Sequence, residues 1–162
     1  MSAGETVYPE SLHPTMIAPC GMDCGICSGH LREKNRCMGC NGDDAGKPKH
    51  CLVCRIKNCD EMKASGGSFC YARARFPCAR LRQLDTRYRT KYGMSMVENL
   101  ESIQELGLDG FVALERERWK CAECGAVVCA HRGHCIYCGH IRTMIQMTPT
   151  TRRQMRRGVH GS

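Results

Sequence analysis

Apolar positions recur at helical spacing through the middle of the chain. Residues 79–92 contain no Gly or Pro, and Leu81, Leu84 and Tyr88 fall at i, i+3 and i+7. That is the stripe of an amphipathic helix, and Gly93 is placed to end it. Ser95 and Glu98 then stand at capping-box spacing, the serine accepting from the Glu98 amide while the glutamate reaches back. The helix they open carries Met96, Leu100, Ile103 and Leu106 on one face, and Gly107 is expected to stop it. A last helix, capped by Asp109, runs through Phe111, Val112 and Leu114 to about Arg118. Outside this section the helical period fails. Residues 1–14 are polar with Pro9 and Pro14 and read as a flexible tail. Residues 41–49, rich in Gly, Asp, Lys and Pro, read as a loop, and Gly66, Gly67 and Ser68 as a second.

The composition explains how so little periodic structure could hold together. The chain of 162 residues has fifteen cysteines but only one Trp, five Tyr and three Phe. Cysteine is about 9% of the total, and without it the apolar fraction falls to about a third. Small cores of this kind lean on disulfides or metals. The first residues show no basic segment followed by an apolar one, so no secretory signal is read there. No apolar stretch approaches the length of a membrane span. The expected setting is the cytoplasm, where thiols stay reduced, and the odd cysteine count argues against a closed disulfide framework. Metal ligation is the natural reading.

Two copies of C-x2-C-G lie near the C-terminus, at Cys121, Cys124 and Gly125 and at Cys135, Cys138 and Gly139. Each such turn sets two sulfurs on one side of a tight loop, and the glycine accepts the positive φ. Two of them close a tetrahedron of four sulfurs, the geometry Zn2+ favours. The short insert holds the β-favouring Val127 and Val128, which fits a hairpin between knuckles and hence a zinc ribbon. Cys129, His131 and His134 lie in the same insert. Because the site closes without them, Cys129 reads as a buried free thiol and the histidines as exposed. Four sulfurs leave no position for water, so the site is structural.

Ten cysteines lie between Cys20 and Cys78, too dense a set for core packing. The simplest closure pairs Cys24 and Cys27 with Cys37 and Cys40. A second site takes Cys51, Cys54, Cys59 and one of Cys70 or Cys78, leaving Cys20 and one late cysteine over. His50 is a possible substitute ligand beside Cys51. The spacing C-x3-C-x2-C of Cys20, Cys24 and Cys27 also matches the cluster motif of radical S-adenosylmethionine enzymes. Those enzymes need a large α/β barrel, and no strand–helix alternation follows here. A plain [4Fe–4S] cluster on that trio with a fourth cysteine stays open, since such clusters also take four thiolates.

The formal charge of +8 suggests an acidic partner. Each Zn2+ held by four thiolates adds about −2, so three sites bring the total to about +2. What remains basic is local. Arg73, Arg75, Arg80, Arg82, Arg87, Arg89 and Lys91 face one acid, Asp85, in that segment, and Arg152, Arg153, Arg156 and Arg157 form a tail. Both could track RNA or DNA phosphates, with Tyr88 and Tyr92 stacking on bases. Equally, the helix could be a solvated face paired with the acidic section that follows, Glu98, Glu101, Glu105, Asp109, Glu115 and Glu117.

The run Ile17-Ala-Pro-Cys-Gly-Met-Asp-Cys-Gly-Ile-Cys27, with Cys37-Met-Gly-Cys40, Phe69-Cys-Tyr71, Phe76-Pro-Cys78, Leu81 and the segment from Asp85 to Met96, resembles a cysteine-rich family called domain of unknown function 3795. The resemblance covers roughly residues 16 to 140. It implies an anaerobic, cytoplasmic setting in which Fe–S chemistry is open, and it implies no defined activity. Similar sequences tend to carry a cysteine three residues after the one matching Cys70; here that position is Arg73.

The expected protein is thus a small metal-stabilised α+β chain. Residues 1–14 are a tail, 15–92 a Cys-rich zinc-knuckle module with a basic helix, 93–118 a helical pair, 119–140 a zinc ribbon and 141–162 a basic tail. Its expected role is a non-catalytic multi-zinc adapter, with about three Zn2+, docking on a protein or nucleic-acid partner. The alternative is an iron–sulfur redox or cluster-sensing protein using Cys20, Cys24 and Cys27.

Overall fold

The computed structural model describes residues 4–142. The arginines at 152, 153, 156 and 157 lie outside the described residues. Three one-turn helices come first: α1 (Ser28–Leu31), α2 (Lys49–Leu52) and α3 (Asp60–Ala64). Two long ones follow, α4 (Ala79–Tyr92) and α5 (Met96–Arg118). Short 3-10 turns at Pro9–Ser11, Pro14–Met16, Cys24–Ile26 and Cys70–Ala72 make up the rest of the helical structure.

α4 has the bounds its stripe predicts. Gly93, at φ 65°, takes the left-handed conformation that ends it. Leu81 is fully buried against α5. Ser95 caps α5, its Oγ accepting from the Glu98 amide at 3.1 Å. The same hydroxyl donates to Asp85 Oδ1 at 2.6 Å. Asp85 also accepts from the Val97 amide at 3.1 Å and from Arg89 Nε at 2.7 Å. The cap of one helix is therefore tied to the middle of the other.

This clasp has a pH signature. Burial raises the Asp85 carboxyl, but the Ser95 hydroxyl, the Val97 amide and Arg89 outweigh it and hold it below the usual carboxylate range. A depressed acid stabilises the fold above its unfolded pKa, about 3.9, and that contribution is lost as pH falls through the folded value. Asp85→Asn is expected to be less stable than the parent at pH 7. The two urea midpoints should converge below about pH 4, where the parent loses the same charge.

The expected helical pair is present: Gly107, at φ 75°, ψ 167°, leaves the helical conformation inside α5, so that span is two helices meeting at a kink. The apolar stripe continues across the kink, with Met96, Leu100 and Ile103 before it and Phe111 and Val112 after it all buried. Two expectations are corrected here. Residues 7–12 are not part of a loose tail. Leu12 is 2% exposed, its carbonyl accepts from Arg116 Nη2 at 2.7 Å, and the Val7 carbonyl accepts from the Val127 amide at 2.8 Å. Finally, the chain is mainly helix and turn. Among the described residues the β-structure is limited to isolated bridges, Ile17 with Asp23, Lys120 with Val127 and His134 with Ile141.

The missing hairpin has a physical cause. The insert between the C-terminal knuckles gives its amides to other segments: Val127 to Val7, Val128 to Trp119 and Ala130 to Ile26. Residues 126–130 are all 7% exposed or less. They act as core that joins the C-terminal section to the N-terminal one. Arg142 completes this seam, lying 4.4 Å over the Trp119 ring and donating to the Tyr92 carbonyl at 2.6 Å. No helix among the described residues is long and apolar enough to cross a membrane.

Candidate metal centres

Each C-terminal knuckle is built by the same backbone bonds. The Cys121 amide donates to the Ala126 carbonyl at 2.8 Å and the Gly125 amide to the Cys121 carbonyl at 3.0 Å. Cys135 with His140, at 2.8 Å, and Gly139 with Cys135, at 2.9 Å, repeat the pattern. Gly125 and Gly139 have φ of 74° and 78°, which a residue with a Cβ resists. The duplicated sequence is a duplicated turn.

The two turns face each other. Cys121 Sγ lies 3.6 Å from Cys138 Sγ, and Cys124 Sγ lies 3.6 Å from Cys135 Sγ. All four sulfurs fall within 4.8 Å of one another. A tetrahedral ion with bonds near 2.3 Å has sulfur–sulfur edges of about 3.8 Å, so the four can hold a metal ion with little movement. Cys121 and Cys135 are buried while Cys124 and Cys138 are exposed. Burial raises the Cys121 thiol, but the Cys124 and Glu123 amides more than offset it and hold it at about 6. One ligand is thus ready as the thiolate that metals bind.

Cys129 is 1% exposed and lies in the core. His131 is half-buried rather than exposed. Its Nδ1 accepts from the Ser28 amide at 3.2 Å, which requires that nitrogen to be unprotonated. Nε2 therefore carries the proton and donates to the Tyr88 hydroxyl at 3.0 Å. The Tyr88 and Tyr92 rings meet the imidazole edge-on at 5.7 and 4.8 Å. Both tyrosines form a seat for His131. His134 is exposed, as is His50.

The N-terminal cysteines are more spread. The loop carrying Cys20 is pressed onto α5. Gly21, at φ 91°, would place a Cβ 2.9 Å from the Met96 carbonyl oxygen, and Asn99 Nδ2 donates to the Gly21 carbonyl at 3.0 Å. The Cys70 amide donates to the Pro19 carbonyl at 2.9 Å, which brings Cys70 beside Cys20. Cys24 and Cys40 meet, the Cys40 amide donating to Cys24 Sγ at 3.4 Å. A separate side-chain hydrogen bond from the Cys24 thiol holds the Cys40 thiol down at about 6. Cys27 and Cys37 flank Gly29, whose Cβ would lie 3.8 and 3.6 Å from Cys27 Sγ and Cys37 Cβ.

Electrostatic neighbours sort the remainder. Burial pushes Cys51 up to about 11, and the thiols adding to this are Cys40, Cys27, Cys37 and then Cys54. Burial also pushes Cys70 up to about 11, opposed by Arg73 and reinforced by Cys78, Cys59 and Cys54. The thiols bearing most on Cys51 are thus those of the first group, although its sequence spacing pairs it with Cys54 and Cys59. Cys20, raised by burial, sees Cys40, Cys70 and Cys54 and lies between the two sets. Among the described residues, the C-terminal four are the group whose sulfurs all converge within 4.8 Å.

Two carboxyls are buried against expectation, Asp23 and Glu115, the latter grouped from sequence with the acids that pair with a solvated basic face. Asp23 caps the turn at Cys24–Ile26 through the Gly25 amide, at 2.9 Å. Burial, with Glu115 nearby, pushes it up to about 8. Glu115 is fully buried, 3.4 Å from Arg118 Nη1. A signal for it was present: Phe111, Glu115 and Trp119 share one stripe at i, i+4 and i+8, so an acid stands on the apolar face.

Comparison with family models, curated proteins and solved structures finds no match for this chain.

Proposed function

We propose that this chain is a non-catalytic, zinc-stapled adapter of about three metal centres that docks on a protein or nucleic-acid partner. The observation carrying the metal reading is the C-terminal tetrahedron of Cys121, Cys124, Cys135 and Cys138, with its 3.6 Å edges. Its donor set is all thiolate and closed, which suits structural zinc. Further metal would sit among Cys24, Cys27, Cys37, Cys40 and Cys51 and among the later cysteines. Membership of the cysteine-rich family it resembles, and a reducing cytoplasmic setting, belong to the same proposal. Free thiols in such number suit that setting.

Cobalt titration of the full chain tests the C-terminal site. The intense visible bands of a tetrahedral tetrathiolate should appear, and Cys124→Ser should remove one centre's share of them. That cysteine is exposed, so its loss as a ligand is separable from its packing.

The docking surface we assign is α4. Arg89 is paired with Asp85 and, at 3.8 Å, with Glu98. Arg80, Arg82, Arg87 and Lys91 are exposed and make no ion pair among the described residues. Arg80, Arg87 and Lys91 fall at i, i+7 and i+11, one stripe of the helix. If that stripe neutralises three phosphates, binding to mixed-sequence RNA should fall with salt at a log–log slope of about −2 to −3. Reversing all three charges should abolish it. Absent binding at low salt would remove nucleic acid from the proposal and leave a protein partner.

A second reading, an iron–sulfur protein using Cys20, Cys24 and Cys27, draws support from one observation. Among the described residues no N-terminal set of sulfurs converges as the C-terminal four do, which keeps a centre larger than a single ion open there. The Tyr88 hydroxyl is raised by burial and by the thiols of Cys27, Cys20 and Cys24.

A further inference from the structure

The four C-terminal sulfurs differ in access. Cys121 and Cys135, the first cysteine of each turn, are 3% and 1% exposed and belong to the core. Cys124 and Cys138, the second of each, are exposed. The chain around them leaves them so. Ala122 and Glu123 before Cys124 are exposed, as is Gly139 after Cys138. Among the described residues, a Cβ added to Gly139 would meet nothing within 4 Å beyond its chain neighbours. One added to Gly125 would meet only the Lys120 side chain, at 3.9 Å. The edge from Cys124 to Cys138 therefore lies open to solvent, and the opposite edge is buried.

The sulfur–sulfur distances pair the two kinds. Each exposed cysteine has a buried one 3.6 Å away on the other turn, Cys124 with Cys135 and Cys138 with Cys121. A disulfide closes at about 2.05 Å, so each pair needs a further approach of only about 1.5 Å. An accessible attacking thiolate with a resolving one beside it is the arrangement that thiol–disulfide exchange uses. Metal binding supplies the remaining requirement. A coordinating thiol is deprotonated outright, and the thiolate is the nucleophile.

We propose that this centre is also a reactive site, in which the exposed Cys124 and Cys138 exchange with small disulfides of the oxidised-glutathione class and so release the metal. The inference rests on the metal-binding reading above and adds to its C-terminal site a substrate class and a chemistry. The Cys124 thiolate attacks one sulfur of the small disulfide. That S–S bond breaks, and the other half leaves as a thiolate. Cys135 Sγ then attacks Cys124 Sγ in the mixed disulfide and expels the second thiolate. One S–S bond is lost and one is formed, and two electrons pass from the protein sulfurs to the small disulfide. Cys138 with Cys121 offers the equivalent route. The ion is left with two of its four ligands, too few for a closed site. The new bond joins the two turns where the ion joined them, so the buried insert at 126–130 keeps its anchorage. Reduction by a thiol reverses the exchange and restores the site.

The test uses the full chain, loaded anaerobically with Zn2+ and counted by native mass spectrometry. Oxidised glutathione is then added with a zinc-binding dye present. One zinc ion per chain should be released, and added thiol should return it. Peptide mapping of quenched samples should find the first glutathione on Cys124 or Cys138. It should find the final disulfide between Cys124 and Cys135 or between Cys138 and Cys121. A short pulse of alkylating agent on the loaded wild type should label Cys124 and Cys138 about 10-fold faster than Cys121 and Cys135, a readout that needs no variant to fold. Zinc retained in excess oxidised glutathione, or a first modification at any other cysteine, would overturn the inference and leave the metal reading standing. A chain with no zinc on these four cysteines before the oxidant is added would overturn the metal reading itself, and this inference with it.

Discussion

Cys135→Ser is expected to remove metal from the C-terminal site and to destabilise the whole chain by several kcal/mol, not only to loosen the knuckle. Structural zinc contributes about 10–16 kcal/mol of binding free energy in zinc-finger peptides, and that energy is coupled to folding. Here the coupling runs into the core. The insert between the knuckles supplies Ala126, Val127, Val128, Cys129 and Ala130 to the interior, and its amides bond Val7, Trp119 and Ile26. If the two turns part, these contacts with the N-terminal segment loosen with them. Cys129→Ala is the matched control, because Cys129 is equally buried yet lies outside the tetrahedron. It should cost about 1 kcal/mol, as ordinary core changes do, and leave the metal count unchanged. Thermal melts with parallel zinc analysis distinguish the two. Equal stability losses with equal metal content would contradict the structural role of the site.

Phe111→Ala is expected to lower stability by about 3–5 kcal/mol, the range for truncating a buried aromatic. Phe111 is fully buried on α5 just beyond the Gly107 bend, where no flexible terminus can collapse into the space. The chain has one tryptophan, and Trp119 is 1% exposed two turns along the same helix face. Its fluorescence therefore reports unfolding of this region directly. With a urea slope of about 2 kcal/mol/M, the midpoint should fall by about 2 M. A shift below about 0.5 M would mean that the second half of α5 is not packed as described.

What could be read from the chain was local. The stripe Leu81, Leu84 and Tyr88 with Gly93 defines α4 because helix propensity, apolar spacing and a left-handed stop agree within a few residues. Ser95 and the paired C-x2-C-G turns are local in the same way, since each turn's hydrogen bonds close within five residues. What could not be read depends on partners far along the chain. Val127 and Val128 look like strand residues, but their amides belong to Trp119 and Val7. His131 looks like a bystander until Ser28 and Tyr88 arrive from other segments. Gly107, by contrast, is legible as a break because its backbone does leave the helix there, although the stripes on either side share one core. The N-terminal ligand sets are the sharpest case, since Cys51 lies three residues from Cys54 but is raised more by the thiols of Cys40, Cys27 and Cys37.

The central claim is that metals, chiefly zinc, hold this chain in one functional shape. Native mass spectrometry of anaerobically purified protein reads metal identity and number together. About three zinc ions per chain, one of them lost in Cys135→Ser, is the result predicted here. A folded chain that carries no metal would contradict the claim, and iron on Cys20, Cys24 and Cys27 would replace the all-zinc adapter with the iron–sulfur reading.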